Sequence, residues 1–347
     1  MQDVVDVEGL TAAWLAEVLA SEVRSVAIEP VGTGQTTATY RLSLDAPDLA
    51  PTLIAKVAAG DDAGRTRVSF AYRNEVGFYA QVAPTVDVAV PRCHHAAIGD
   101  DAMQFTLLLD DLRPRTPGVQ VDGCAPERVA GAIGNLVGLH APRWSDPTLT
   151  DLDFIEGPTA ATAAFTGEVA KAATEGFVER YAPDLDEADV GTLRASAAAV
   201  VDWLLTGLEP FSVLHGDYRL DNLMFGVDPH DVVAVDWQTV AVGPPARDVA
   251  YLLATGLTVE DRREHEEALV AGYHRALLER GIEGYDAARC FEDYRLGLLH
   301  GPLITTVGCM FSPAARTDAA DAMFVSMARR TCAAVRDHGS LDLVGRR

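Results

Sequence analysis

The chain has 347 residues, 48% of them hydrophobic, and a formal net charge of −23. This length and apolar content suffice for one large domain or for two lobes with a packed core. An acid excess of this size argues against a nucleic-acid partner and against an anionic membrane surface, because both are bound through Lys and Arg.

Cysteine usage and hydropathy predict a cytoplasmic protein. The first ten residues lack the basic and apolar regions of a signal peptide, and no apolar stretch is long enough to span a bilayer. The five cysteines are scattered and include no C-x-x-C pair, which is typical of reduced thiols. Nothing in the pattern demands an oligomer.

The first hundred residues or so have the pattern of a small sheet crossed by one helix. Residues 9–20 have helical spacing, with Thr11 as a candidate N-cap. Residues 23–44 alternate around a Gly-containing turn, which indicates a hairpin. The apolar run at 51–58 predicts a third strand, and a helix over 67–82 and a strand over 103–112 follow.

After Pro114 the periodicity becomes helical. The segments with helical spacing are 125–141, 191–208, 260–280 and 288–304. The acidic stretch 175–190 is interpreted as a solvated face or a loop. Two short apolar strands, around Leu214 and at 232–236, interrupt the helices, and a tight hinge is expected near 110–114.

The segment between these two strands carries the chemistry. In VLHGDYRLDNLMF, Asn222 follows Asp217 by five residues, the D-x-x-x-x-N spacing of a phosphoryl-transfer catalytic loop. In that chemistry a carboxylate accepts the proton of the attacking hydroxyl, and an amide oxygen reaches the metal held on the phosphates. Asp236 ends the next strand, where it would supply a hard carboxylate oxygen for Mg²⁺. Taken singly, each residue is also explained as a helix cap or turn residue.

HGDYRLDNLMF followed by VDWQTVAVGPPARDVAYLL resembles the aminoglycoside phosphotransferase and choline-kinase-like superfamily of small-molecule kinases. The resemblance implies that Asp217 is the catalytic base and that Asn222 and Asp236 hold Mg²⁺. It also implies that Asp248 bonds the catalytic loop from below. HGD in place of HRD, and the absence of an A-P-E segment downstream of Asp236, argue against a protein substrate.

In the upstream half, the resemblance assigns Lys56 to the α and β phosphates and Glu75 as its ion-pair partner. A Lys inside an apolar strand needs a partner on physical grounds as well, unless it faces solvent. Arg219, two residues after the base, stands where a cation would neutralise the transferred phosphoryl group.

The remaining nucleotide contacts implied by the resemblance are made by the backbone. Gly32 and Gly34 occupy the phosphate-loop position, although any hairpin also favours glycine. LLLDDL corresponds to the hinge, where backbone groups of Asp110 and Leu112 would pair with the adenine edge.

These features together predict an α+β, bilobal, protein-kinase-like fold with ATP and Mg²⁺ as cofactors. Residues 1–110 would form an N-terminal nucleotide-binding lobe with a small antiparallel sheet. Residues 111–347 would form a mainly helical lobe with the catalytic loop and the acceptor site. The expected function is transfer of the ATP γ-phosphate to a hydroxyl of a small molecule, whose identity the sequence does not reveal.

Three alternatives remain open at this point. The first is a nucleotide-binding pseudokinase that acts as a regulatory module. The second is a kinase of hydroxyacyl substrates, since YRLDNLMF also resembles kinase-like domains that accompany acyl-CoA dehydrogenases. The third is a metal-dependent hydrolase that uses the same acids with water as the acceptor.

Overall fold

The structure is a computed structural model that describes residues 4–31, 37–155, 157–311 and 317–346. The chain divides into two compact units. The first unit comprises residues 1–85, 90–114 and 235–240, and the second comprises residues 86–89, 115–234 and 241–347. The first contains an antiparallel sheet and the second is mainly helical, so the predicted α+β class is confirmed.

The first unit is built on one sheet of five described strands. They are β1 (Ser25–Pro30), β2 (Thr37–Asp45), β3 (Thr52–Ala58), β4 (Cys93–Ile98) and β5 (Phe105–Asp110). All neighbours are antiparallel, in the order β1-β2-β3-β5-β4. The predicted hairpin and third strand are therefore confirmed, and β3 occupies the centre of the sheet.

Two helices accompany this sheet. Helix α1 (Ala12–Val18) begins after Thr11, whose hydroxyl accepts a hydrogen bond from the Trp14 N–H, as predicted. Helix α2 (Asp62–Gly77) starts five residues before its predicted beginning, because Asp61 caps it by accepting from the Gly64 N–H. It continues into a π-helical turn over Phe78–Val82.

Helices dominate the second unit. The described helices are α3 (Pro126–His140), α4 (Ala160–Tyr181), α5 (Glu187–Leu204), α6 (Ala246–Gly256), α7 (Val259–Glu279), α8 (Ala287–Gly297), α9 (His300–Phe311) and α10 (Asp318–His338). Every residue of α6 is buried, and this helix packs against α3, α8, α9 and α10. Among the described residues, we find no helix with the length and apolar character needed to cross a membrane.

Short strands frame the loops of the second unit. They are β6 (Thr116–Pro117), β7 (Ser212–Leu214), β8 (Leu223–Phe225), β9 (Val232–Ala234) and β10 (Ala241–Gly243). Strands β6, β8 and β9 form one antiparallel sheet, and β7 pairs with β10. The segment between β7 and β8 is therefore anchored by a strand at each end.

Two features of the helices in this unit differ from the sequence-based expectations. Helix α4 was not predicted, and the stretch 175–190, expected to be a solvated face or a loop, belongs largely to α4 and α5, with most of its residues exposed. The pattern over 288–304 predicted one helix, whereas the structure has α8 and α9 with a break between them.

Candidate active site

Lys56 is held in the first unit by a buried ion pair. It lies on β3 and is 8% exposed, and its Nζ is 2.6 Å from Glu75 Oε1 and 2.8 Å from Glu75 Oε2. Glu75 lies near the end of α2 and is 1% exposed. A buried ammonium without a partner would be costly, and α2 supplies the carboxylate that it needs. Lys56 therefore does not face solvent, which was the alternative left open by the sequence.

Asp236 adds a second carboxylate to this pair. Its Oδ1 lies 3.3 Å from Lys56 Nζ, and its side chain is 43% exposed. Burial alone would lower the pKa of Lys56, but the carboxylates of Asp236 and Glu75 outweigh burial and raise it. Lys56 is therefore a permanent cation at physiological pH. We call Lys56, Glu75 and Asp236 the lysine cluster.

The segment that carries Asp236 is fastened to α2. Asp236 adopts a left-handed backbone conformation, with φ of +68°, which Asp tolerates better than most residues. The Asn74 side-chain amide donates to the carbonyl of Gln238 at 3.1 Å. The ring of Trp237 stacks on Phe78 with centroids 3.5 Å apart. These contacts, made by the two residues that follow Asp236, help to hold Asp236 in its left-handed conformation.

The predicted nucleotide contacts of the backbone involve the end of β5 and the segment between β1 and β2. Gly32 and Gly34 lie outside the described residues. Asp110 ends β5, and its N–H already donates to the Arg92 carbonyl at 3.0 Å. Leu112 follows β5 in a partly exposed stretch without regular structure. The N–H of Asp110 is therefore engaged within the protein, and the predicted adenine contact of Asp110 and Leu112 stays a prediction.

Between the two predicted hinge residues lies a carboxylate that the sequence reasoning missed. Asp111 accepts from Arg41 Nε at 2.8 Å and from Arg113 Nε at 2.9 Å. Burial would raise the pKa of Asp111, but these two guanidinium groups lower it to about 2. Asp110, in turn, accepts from His94 Nε2 at 2.7 Å. The side chains of Asp110 and Asp111 thus both accept hydrogen bonds from other residues of the protein.

In the second unit, Asp248 on α6 holds the backbone of the candidate catalytic loop. Its Oδ2 accepts from the His215 N–H at 2.7 Å, and its Oδ1 accepts from the Gly216 N–H at 3.0 Å. Burial would raise the pKa of Asp248, but hydrogen bonding and the charge of His140 lower it. His300 Nε2 donates to the Gly216 carbonyl at 2.8 Å. Gly216 has φ of +80°, a conformation that favours glycine.

Asp217 lies at the centre of a hydrogen-bond network. Its Oδ2 accepts from Asn222 Nδ2 at 2.9 Å and from Arg219 Nε at 3.2 Å. Its Oδ1 accepts from the Tyr251 hydroxyl at 2.9 Å. Asn222 Nδ2 also donates to the Asp217 carbonyl at 2.9 Å, so the amide nitrogen of Asn222 is fully engaged. Its Oδ1 is then the atom of Asn222 that is suited to a metal ion.

Arg219 is paired with carboxylates. Besides Asp217, its guanidinium donates to Asp221, and its Nη1 lies 3.2 Å from Met323 Sδ. Burial alone would lower the pKa of Arg219, but the charges of Asp217 and Asp221 raise it, so the side chain stays cationic. The predicted contact of Arg219 with a transferred phosphoryl group stays a prediction.

The structure thus brings the predicted residues together in two sets, one in each unit. Lys56, Glu75 and Asp236 form the lysine cluster, while Asp217, Arg219 and Asn222 share one network of hydrogen bonds. The sequence reasoning missed Tyr251. Its signal was its position three residues after Asp248, because this spacing places two side chains on the same face of a helix.

Comparison with known proteins gives a family match over most of the chain. The model of the family described as "Phosphotransferase enzyme family" (APH) matches residues 27–291. Among curated proteins, acyl-CoA dehydrogenase family member 10 of Mus musculus is 41% identical over 56 residues. That match covers 15% of this chain and 5% of the mouse protein, so the chain spans only a small part of that relative.

Solved structures match over nearly the whole chain. A protein from Ralstonia eutropha JMP134, described as an aminoglycoside phosphotransferase, has a TM-score of 0.55 at 19% identity. That match covers 96% of this chain and 98% of the other. The GDP complex of the F108L mutant of aminoglycoside 2′-phosphotransferase-IIIa has a TM-score of 0.54 at 13% identity and covers 94% and 95% of the two chains. At these identities the likeness concerns the fold, which is that of small-molecule phosphotransferases.

Proposed function

The chain belongs to the phosphotransferase enzyme family, and we propose on this basis that it transfers the γ-phosphate of ATP to a hydroxyl group of a small molecule. The observation that carries the proposal is the environment of Asp217. This carboxylate is oriented by the Asn222 amide, five residues later, as in the catalytic loops of phosphoryl-transfer enzymes. The GDP bound to the aminoglycoside 2′-phosphotransferase-IIIa mutant supports a nucleotide as the donor.

In this proposal Lys56 contacts the α and β phosphates. The ammonium is cationic and is fixed in direction by Glu75, so it can neutralise phosphate charge without rearrangement. The backbone N–H groups around Gly32 and Gly34 would approach the phosphates. The Asp110 carbonyl and the Leu112 backbone would pair with the adenine edge.

Asn222 and Asp236 are the proposed Mg²⁺ ligands. Both offer oxygen atoms, which hard divalent cations prefer, and Mg²⁺ sites in kinases use few protein ligands in addition to phosphate oxygens. The engagement of Asn222 Nδ2 with Asp217 leaves its Oδ1 as the ligand atom. When bound, the cation neutralises charge that develops on the phosphates. Asn222 Oδ1 and the partly exposed Asp236 carboxylate fit this group chemically.

Asp217 then acts as the base. It accepts the proton of the acceptor hydroxyl while that oxygen forms a bond to the γ-phosphorus and the bond from phosphorus to the β–γ bridging oxygen breaks. ADP leaves with the electron pair of the broken bond. The role of this chain is chiefly to position groups and to neutralise charge.

The test measures nucleotide binding and ATP turnover separately. The wild-type protein is expected to bind Mg·ADP in calorimetry and to hydrolyse Mg·ATP slowly in the absence of an acceptor. D217N is expected to retain Mg·ADP binding and to lose about 100-fold or more in turnover, the range of a positioned general base. D228N, which changes an exposed acid just after β8, is the matched control and is expected to behave like wild type. A wild-type protein that binds neither ATP nor GTP would refute the proposal, and so would equal losses in D217N and D228N.

The acceptor is proposed to occupy an open cavity of about 860 Å³ on the second unit, a volume that suits a drug-sized ligand. Its wall includes Val121 and Ala322. These are the chain neighbours of Gln120, whose N–H donates to Asp221, and of Met323, which contacts Arg219. Arg180 and Arg329 are the cations in the wall, beside the carboxylates of Asp184, Asp318 and Asp321, so the acceptor is expected to be polar.

A library assay identifies the acceptor. ADP release is followed with amino alcohols, sugars, antibiotics and hydroxyacyl thioesters, first with ATP and then with GTP. R329A is expected to raise the KM of the active acceptor and to leave Mg·ADP affinity unchanged. An unchanged acceptor KM in R329A would exclude this cavity as the acceptor site.

We also propose that the protein resides in a reducing compartment such as the cytoplasm. All five cysteines are free thiols, as is usual for proteins of reducing compartments. Burial raises the pKa of the Cys93 thiol to about 11 and that of the Cys290 thiol to about 12, so both are poor nucleophiles. Thiol titration of protein isolated under non-reducing conditions is expected to find all five thiols reactive after unfolding.

A further inference from the structure

The Tyr251 hydroxyl contacts the carboxylate of Asp217 from α6. Tyr251 is fully buried, and its hydroxyl donates to Asp217 Oδ1 at 2.9 Å. It lies three residues after Asp248, which accepts from the His215 and Gly216 N–H groups. One face of α6 therefore holds both the backbone of the catalytic loop and one oxygen of its acid.

The two carboxylate oxygens of Asp217 differ in the number of hydrogen bonds that they accept. A carboxylate has about four lone-pair sites, two on each oxygen. Oδ2 accepts from Asn222 Nδ2 and from Arg219 Nε, which occupies both of its sites. Oδ1 accepts only from Tyr251 among the described residues, so it retains one site for a further donor.

From this count we propose that Tyr251 is a positioning residue that makes Asp217 Oδ1 the proton-accepting atom. The inference rests on the proposed function. In the reaction, the acceptor hydroxyl donates to the remaining site of Oδ1 and passes its proton to that oxygen. Its own oxygen bonds to the γ-phosphorus, the bond to the β–γ bridging oxygen breaks, and the proton on Oδ1 is later released to solvent.

The surroundings of Tyr251 suit this role. Burial and the nearby charge of Asp217 raise the pKa of Tyr251 well above its usual value, so its hydroxyl remains a donor at neutral pH. The ring packs edge-on against His300, with centroids 5.3 Å apart, and His300 donates to the Gly216 carbonyl. Tyr251 is fully buried, so its ring cannot leave this position without displacing the side chains packed around it, and this restricts the direction of its hydrogen bond to Asp217.

The test removes one hydroxyl. Y251F keeps the ring and is expected to lower the kcat of acceptor-free ATP hydrolysis by about tenfold, a part of the full effect of a general base. The KM for ATP and the calorimetric affinity for Mg·ADP are expected to stay unchanged. The matched control is Y285F, which removes a buried hydroxyl that also donates to an Asp carboxylate at 2.9 Å, that of Asp293. Y285F is expected to keep the wild-type kcat.

A double-mutant cycle separates positioning from a general structural role. If Tyr251 acts through Asp217, the residual turnover of D217N is unaffected by adding Y251F, since the atom that it positions is already inactive. A structural role instead lowers turnover by the same factor in both backgrounds, and that result overturns the inference. An unchanged kcat in Y251F overturns it as well.

Failure of the inference is distinguished both from a loss of stability and from failure of the proposed function. Thermal unfolding is measured for every variant, and kinetics are run well below each midpoint, so a less stable Y251F is still compared as a folded protein. If wild type turns over ATP and D217N does not, yet Y251F equals wild type, the inference fails and the proposed function survives. If wild type neither binds nor turns over nucleotide, the proposed function itself fails.

Discussion

The buried ion pair of the lysine cluster allows a quantitative test that does not depend on the substrate. The perturbations are K56M, E75L and the double variant K56M/E75L. Breaking a buried ion pair from one side costs about 3–5 kcal/mol, because the remaining charge stays buried without its partner. Replacing both partners with apolar residues of similar volume is often nearly neutral.

The contacts that the remaining partner keeps in each single variant determine the expected loss within the range of about 3–5 kcal/mol. In E75L, Lys56 keeps Asp236 at 3.3 Å, so we expect a loss of about 3 kcal/mol in the free energy of unfolding. In K56M, Glu75 keeps only Gln238 Nε2 at 3.4 Å among its described donors, so we expect about 5 kcal/mol. The double variant is expected to lose about 2 kcal/mol or less, well below the sum of the single variants.

Urea unfolding monitored by circular dichroism measures all three variants. K171M is the control, because the Lys171–Glu168 pair has a similar distance of 2.9 Å but lies on the surface, and it is expected to unfold like wild type. Losses in the double variant that equal the sum of the two single losses would refute the reasoning, because they would mean that Lys56 and Glu75 do not stabilise each other.

The pH dependence of K56M checks the same argument. Burial raises the pKa of Glu75, and the charge of Lys56 opposes this effect. Without Lys56 the folded state therefore binds the Glu75 proton more tightly than the unfolded state does. We expect the free energy of unfolding of K56M, relative to wild type, to fall as pH rises from about 4.5 towards neutrality. If the difference in free energy of unfolding between K56M and wild type does not change across this pH range, the raised pKa of Glu75 in K56M is contradicted.

Three other variants test the contacts of individual side chains. D248N is expected to lower the free energy of unfolding by about 2–4 kcal/mol in thermal unfolding, because a buried carboxylate that accepts from two backbone N–H groups becomes an amide. N74A removes the donor to the Gln238 carbonyl, and a metal titration of ATPase activity is expected to show a higher Mg²⁺ requirement with an unchanged melting midpoint within about 2 °C. R219A leaves Asp217 Oδ2 with one donor, and steady-state kinetics are expected to show a kcat about tenfold lower with an unaltered KM for ATP.

The candidate site could be predicted from the sequence where its contacts are local or compulsory. Asp217 and Asn222 lie five residues apart in one loop, so their spacing alone indicates a shared environment. Lys56 and Glu75 are 19 residues apart; physical reasoning predicted that a buried Lys56 needs a partner, and the family resemblance assigned Glu75 on the next helix to that role. Tyr251 is 34 residues from Asp217, and their contact depends on how α6 packs beneath the loop. The spacing of three residues between Asp248 and Tyr251 indicates a shared helix face, but it does not indicate that this face packs against Asp217.

The errors in the helical unit also have physical causes. The core side of α4 is made mostly of small residues such as Ala163, Gly167 and Ala170, so its hydrophobic periodicity is weak. The break between α8 and α9 was missed because both sides are apolar. Pro302 was the available signal, since proline is tolerated in the first turn of a helix and disrupts its interior.

The catalytic loop and the lysine cluster are stabilised by different interactions, each within its own unit. Asp248 and Tyr251 hold the candidate catalytic loop by hydrogen bonds from α6, a helix in which every residue is buried. The lysine cluster instead places one ammonium between two carboxylates, and Asp236 is kept in a left-handed conformation by contacts to α2. The base therefore depends on close packing, while the proposed phosphate and metal contacts depend on charge balance. Core substitutions around α6 should consequently act on the base, and charge substitutions around β3 and α2 on nucleotide and metal binding.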